Sequence, residues 1–204
     1  MDKIITISRE YGAGGHSIGQ QVAKELGIPF YDRDILKATV QTSGFDPDMV
    51  EHDQEDVSST NFFFKSICSF ADASFSDTQD AIHDVQKAVI LHFAKEGPCV
   101  ILGRCGDYVL RERKDVLRVF VYAPKEWRLQ YAKTNPLVKA KDEKGIKDEV
   151  EKTDRNRSAY YNYYTQNRWG DAHNYDLAIN AALGRETCVK MILDAAAAKE
   201  KTLG

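Results

Sequence analysis

Apolar positions change period along this chain, and the changes mark out strands and helices in turn. Ile4 to Ile7 is a β-branched run that reads as a buried strand. Ile18, Val22 and Leu26 then recur at helical spacing, so a helix opens near His16 or Ser17 and stops at Gly27. Ile28 to Tyr31 predicts a second short strand, ending at Asp32-Arg33-Asp34, with Asp34 capping a helix that carries Ile35, Leu36, Thr39 and Val40. Ile82, Val85, Val89 and Phe93 form one stripe of a helix running from Asp77 or Thr78 to Gly97-Pro98. Cys99 to Leu102 is apolar throughout, the pattern of a central strand. Leu117 to Val121 predicts the next strand, and Pro124 opens a helix through Trp127, Arg128 and Tyr131. Tyr175 to Asn180 is a last strand, and residues 185–200 form a closing alanine-rich helix. Strand, helix and strand alternating in this way predict a parallel sheet covered by helices, with ligands beyond the carboxyl ends of the strands.

Two stretches interrupt the pattern. Residues 43–77 carry Gly44, Pro47, an acidic run from Glu51 to Asp56 and then Phe62-Phe63-Phe64, Ile67 and Phe70. They predict a small helical insertion at about 41–77, its aromatics packing over a bound base, on the core or on a second copy of the chain. From Thr134 to Lys152, lysines alternate with acidic residues, the composition of a solvated, mobile loop and helix. Because Asp154-Arg155-Asn156-Arg157 follows directly, residues 134–157 also read as a lid that brings Arg155 and Arg157 onto a transferring phosphoryl group. Tyr160, Tyr161, Tyr163, Tyr164 and Trp169 are spaced for a helix packing aromatic faces on the sheet, not for stacking on nucleic acid.

The chemistry lies in the loop between the first strand and helix, Ser8-Arg9-Glu10-Tyr11-Gly12-Ala13-Gly14-Gly15-His16-Ser17. Glycines let a backbone turn tightly and point N–H groups inward, and a helix dipole behind them favours an anion. The loop approaches the nucleotide-binding pattern G-x-x-x-x-G-K-[ST], with Gly14 as its second glycine and Ser17 as the hydroxyl near a magnesium ion. It departs from that pattern at Arg9, where the first glycine belongs, and at Gly15, where the lysine belongs. Two other readings stay open. Gly12, Gly14 and Ser17 follow a dinucleotide fingerprint lacking its third glycine, with Asp32 about 20 residues on; a purely structural glycine turn is the other. Gly103-Arg104 closes the central strand on the same rim, where a guanidinium fork suits a phosphate.

Composition narrows the partners. A chain of 204 residues carrying a net charge of −3 suits one domain with an insertion and a small-molecule ligand, not nucleic acid. Cys68, Cys99, Cys105 and Cys188 show no C-x-x-C spacing and read as reduced thiols of a cytoplasmic protein, not as zinc ligands. No apolar run reaches membrane-spanning length, and the chain enters its first strand without a signal-peptide pattern.

With the glycine loop, Gly103-Arg104 and Asp154 to Arg157 in place, the chain resembles the cytidylate kinase-like family, as do Tyr160 to Thr165, Trp169 and Tyr175-Asp176-Leu177. The resemblance spans nearly all of residues 1–204. It implies a P-loop, three-layer α/β/α domain with a five-stranded parallel sheet, an insertion lobe for a nucleoside monophosphate, a lid, and ATP with Mg2+. Gly12, Ala13, Gly14, Gly15, His16 and Ser17 then hold the ATP phosphates, with Ser17 at the metal. Asp32, Arg33, Arg104 and Asp107 face the acceptor, a nucleotide such as CMP or dCMP or another small molecule. Arg155 and Arg157 are catalytic. Asp107 enters because the aspartate expected after the strand arginine is Cys105, and Arg9 or His16 is expected to stand in for the missing lysine. A non-catalytic nucleotide sensor or scaffold is the alternative, and a homodimer stays open.

Overall fold

The computed structural model describes residues 3–32, 35, 75–135 and 138–203. The predicted insertion up to residue 74, Arg33, Asp34, Cys68 and the helix after Ile35 lie outside the described residues. The strands are β1 (Ile4–Arg9), β2 (Phe30–Tyr31), β3 (Cys99–Leu102), β4 (Val116–Tyr122) and β5 (Leu177–Asn180). They form one parallel sheet in the order β2-β3-β1-β4-β5. The helices are α1 (Gly15–Leu26), α2 (Phe75–Glu96), α3 (Gly106–Val109), α4 (Lys125–Thr134), α5 (Glu143–Thr165) and α6 (Arg185–Leu203). The sheet order places β3 between β1 and β2, so the crossover from β1 to β2 passes over β3 and the glycine loop opens beside Gly103.

Strand alternation sorts the core into two layers. Ile5, Ile7, Val100, Leu102, Val119 and Val121 bury against Ile18 and Val22 of α1 and Ile192 and Ala196 of α6. Ile4, Cys99, Ile101 and Val116 face the other way, onto Val89, Ile90 and Ala94 of α2 and Leu110 beyond α3. Helix α1 ends where expected, at Gly27 in a left-handed conformation (φ 64°) whose N–H caps Ala23 and Lys24.

Two strands are shorter than their apolar runs. The Ile28 N–H still bonds Ala23 O, and Pro29 contributes only its carbonyl, accepting from the Val100 N–H, so β2 starts at Phe30. Tyr175 closes a 3-10 turn on Ala172, which leaves Leu177 as the first residue of β5. The larger difference is α5. The charged segment and the aromatic segment after it are one continuous helix, entered through Asp142. Val138, Ile146 and Val150 give its first half an apolar cluster of its own with Ala132 of α4.

Tyr160, Tyr161 and Cys105 are buried together, while Tyr163 is 58% exposed. His83 of α2 packs into this cluster, stacked on Tyr164 at 3.7 Å with Nδ1 2.9 Å from the Tyr160 hydroxyl. Burial lowers the His83 pKa to about 4, with Lys87 adding to the fall and Asp84 and Asp80 opposing it. The unfolded chain therefore binds more protons than the folded one between pH 6.5 and 4, and stability falls as pH drops through that window. His83→Phe is expected to remove about 2 kcal/mol of this acid-side loss, read as the difference between urea unfolding at pH 7 and pH 4.5. Equal losses in both proteins would exclude His83 as the cause.

Candidate active site

The loop from Glu10 to Gly14 joins β1 to α1, and its turns require Gly12 (φ 77°) and Gly14 (φ 75°). Gly12 also lies hard against α4: a Cβ there would stand 3.0 Å from the Arg128 carbonyl oxygen. The Ala13 N–H bonds Glu10 O, and the Ser17 hydroxyl donates to Gly14 O at 3.1 Å and lies 3.1 Å from the Tyr131 hydroxyl. Gly12→Ala is expected to cost about 1–2 kcal/mol for the left-handed backbone, before the clash with Arg128 is added. A thermal melt that matches the wild type would show that the loop does not need this turn.

Two cavities meet at this loop. One, of about 440 Å³, is lined by Arg9, Tyr11, Gly14, Ser17, Asp32 and Arg157 among others. The second, of about 520 Å³, runs from Gly14 and Ser17 past Trp127 and Tyr131 to the turn from Ala181 to Thr187. Trp127 and Tyr131, one helical turn apart on α4, stack at 5.2 Å with their rings 9° from parallel. The sequence pattern places both residues on this helix and assigns the pair no role. Gly14, Ser17 and Tyr131 line both spaces, so a ligand gripped by the loop can extend from one into the other.

An ionic cluster around a buried arginine holds the loop from outside. Arg128 of α4 is 8% exposed. Its Nε donates to Ala123 O at 3.1 Å and sits 3.2 Å from Glu10 Oε2, and its Nη1 donates to Tyr11 O at 2.9 Å and to the Asp154 carboxylate. Asp154 also accepts from the Tyr11 N–H at 2.7 Å, and Glu10 from the Ala123 N–H at 3.1 Å. Burial nonetheless raises the Glu10 pKa, with Asp154 adding to the rise and Ala123 and Arg128 opposing it. The Tyr11 hydroxyl donates to Glu149, whose carboxyl stays low because this bond and those from Ala140 and Lys139 outweigh its desolvation.

The sequence-predicted residues separate along these lines. Arg157 reaches the loop: Nη1 donates to Arg9 O at 3.0 Å, and its guanidinium carbon lies 5.4 Å from the centre of the Tyr11 ring. Arg104 is buried with φ 56° and lines a narrow gap with Arg157, Ser8 and Tyr160. Asp32 lines the loop cavity, 3.4 Å from His16 Nε2. Arg155 is not brought there. It is 68% exposed and pairs with Glu151, because positions two apart on a helix face opposite sides. Asp107 is not brought there either: it is buried under the strand-end turn, accepting from the Tyr161 hydroxyl at 2.6 Å. Burial is the main reason its pKa is raised.

A sheet in the order β2-β3-β1-β4-β5 with a glycine loop after its central strand is the P-loop kinase fold, not the 3-2-1-4-5-6 order of dinucleotide proteins. An uncharacterized protein from Eubacterium ventriosum shares it at 23% identity and a TM-score of 0.69, the alignment covering 95% of this chain and 98% of that one. A gluconokinase from Sinorhizobium meliloti aligns at 15% identity and a TM-score of 0.58, over 99% and 95% of the two chains. A shikimate kinase from Bacteroides thetaiotaomicron aligns at 13% identity and 0.56, over 95% and 98%. At such identities the likeness is one of fold. A search of proteins with curated functions found no match. Residues 4–182 match the cytidylate kinase-like family, and the chain belongs to it. Family and fold together are those of phosphotransferases of the nucleotide and small-molecule kinase type. Among the described residues, no helix is long and apolar enough to cross a membrane.

Proposed function

We propose that this protein transfers the γ-phosphoryl group of ATP to a small acceptor, a nucleoside monophosphate such as CMP or dCMP. The observation that carries the reading is the meeting of Arg9 from β1, Ser17 from α1 and Arg157 from α5 around one cavity beside the glycine loop. The loop suits a triphosphate, and the Trp127–Tyr131 pair suits the flat face of the attached base in the neighbouring space. An acceptor phosphate oxygen attacks the γ-phosphorus, the bond to the bridging oxygen breaks, and ADP leaves with the electron pair. That oxygen is already nucleophilic, so no general base is required. Catalysis then consists of positioning and charge neutralisation by backbone N–H groups and arginines. Arg104, next to Arg157, and Arg33 are assigned to the acceptor.

The donor set also fits Mg2+. Ser17 would hold it, with phosphate oxygens and water completing the shell, and the ion would neutralise charge on the phosphates. Among the described residues no three His, Cys, Asp or Glu side chains cluster to hold a metal. Such a shell does not require them.

Gly15 in place of lysine favours a second reading, a protein that binds nucleotide without turnover. A panel of nucleoside monophosphates and other small acceptors, each with ATP and Mg2+ and followed by ADP release, separates the two. ADP formation with one acceptor is the expected result. Tight ATP binding with no turnover across the panel would favour the passive protein.

A further inference from the structure

Strand alternation decides where Arg9 points. Ile5 and Ile7 pack beneath α1, and alternate residues of a strand share a face. Arg9, the last residue of β1, therefore leaves the sheet on the α1 side. Gly15, the first residue of α1, is buried directly against it: a Cβ built there falls 2.7 Å from Arg9 Cβ and 2.9 Å from Arg9 Cγ. Side-chain atoms do not approach so closely, so a side chain at position 15 and the stem of Arg9 claim one volume. One turn along, a Cβ at Gly19 would come within 2.9 Å of Phe30 and 3.1 Å of Ile7, so α1 is seated close on the sheet over this turn as well. Of positions 9 and 15, only one can carry a long side chain beside the loop.

We propose that Arg9 is that residue: its guanidinium takes the place of the pattern lysine and binds the β- and γ-phosphate oxygens of the nucleotide. The inference rests on the nucleotide reading above and deepens it. Arg9 lines the same cavity as Gly14, Ser17 and Arg157. Its main chain is held from two sides, in register with Val121 of β4 and by the hydrogen bond from Arg157 to its carbonyl. His16, the other cationic candidate in the loop, turns to Asp32 and sets its ring edge against Phe30 at 5.3 Å. A guanidinium offers two parallel N–H donors to a phosphate where an ammonium acts as a point charge, so the exchange preserves charge and adds directionality.

ATP-Mg binding to the full chain, measured by calorimetry, tests this without reference to the acceptor. Arg9→Met keeps the aliphatic stem against Gly15 and removes the charge, and is expected to bind roughly 10- to 100-fold more weakly. Arg9→Lys is expected to lose less. Gly15→Lys alone is expected to weaken binding, because Arg9 already fills the space. The double variant R9G/G15K, which also removes the Cβ at position 9, is expected to recover most of the affinity that R9G loses. Thermal melts of each variant establish that it is folded. Undiminished binding by Arg9→Met overturns the role of Arg9 and leaves the nucleotide reading standing. A double variant no tighter than R9G overturns the exchange of positions. A wild type that does not bind ATP-Mg overturns the nucleotide reading, and this inference with it.

Discussion

Arg157→Met is expected to lower turnover roughly 10³-fold or more while ATP-Mg affinity falls far less, the range found for arginines that meet charge on a transferring phosphoryl group. The reason is position. Arg157 lines the loop cavity and the narrow gap that Arg104 shares, so it stands between the sides proposed for donor and acceptor. Methionine keeps the stem near the Tyr11 ring and removes the charge. It also removes the hydrogen bond to Arg9 O, a structural loss of about 1 kcal/mol. Arg157→Lys separates the two roles: it restores charge without the fork, and turnover is expected to recover in part. If Arg157→Met instead lowered affinity and turnover equally, the residue would be a binding group. Unchanged turnover would remove it from the site.

Arg128→Met is expected to have the largest effect on stability, a loss of about 3 kcal/mol, because it leaves the partly buried Glu10 and Asp154 beside each other without their cation. For a chain of this size that is roughly 10 °C in melting temperature. The loss has a sign in pH. The Glu10 carboxyl is already raised by burial and Asp154, and without Arg128 it rises further. A folded state that holds this proton more tightly than the unfolded chain loses stability as pH rises through the carboxylate range. The gap between wild type and variant is therefore smaller near pH 4.5 than at pH 7. Glu10→Gln in the Arg128→Met background is expected to close part of the gap at pH 7. A deficit that ignores pH would mean that lost packing, not stranded charge, is its cause.

These two arginines show what local pattern could and could not deliver. The β1–loop–α1 unit was legible because each part announces itself locally: β-branched residues for the strand, glycines for left-handed turns, apolar residues at i and i+4 for the helix. Arg157 was legible as one of a cationic cluster. Its separation from Arg155 required knowing that residues 143–165 form one helix, since only a helical period turns one arginine inward and its neighbour out. Arg128 carried no signal at all. It sits in an amphipathic helix like any surface arginine, and its partners lie far off in sequence, at Glu10 and Asp154. Asp107 was placed at the site by proximity to Arg104. Three successive left-handed residues, Gly103, Arg104 and Cys105, turn the chain so that the aspartate enters the core.

The order of elements, the parallel sheet and the phosphate-binding character of the loop follow from short-range rules, because backbone sterics and hydrophobic period act over a few residues. What holds the loop and which arginine faces the cavity depend on distances between segments more than a hundred residues apart. Those distances come from packing α1, α4 and α5 onto one sheet. In the primary structure Arg9 and Gly15 are two departures from a motif; in three dimensions one fills the space the other leaves.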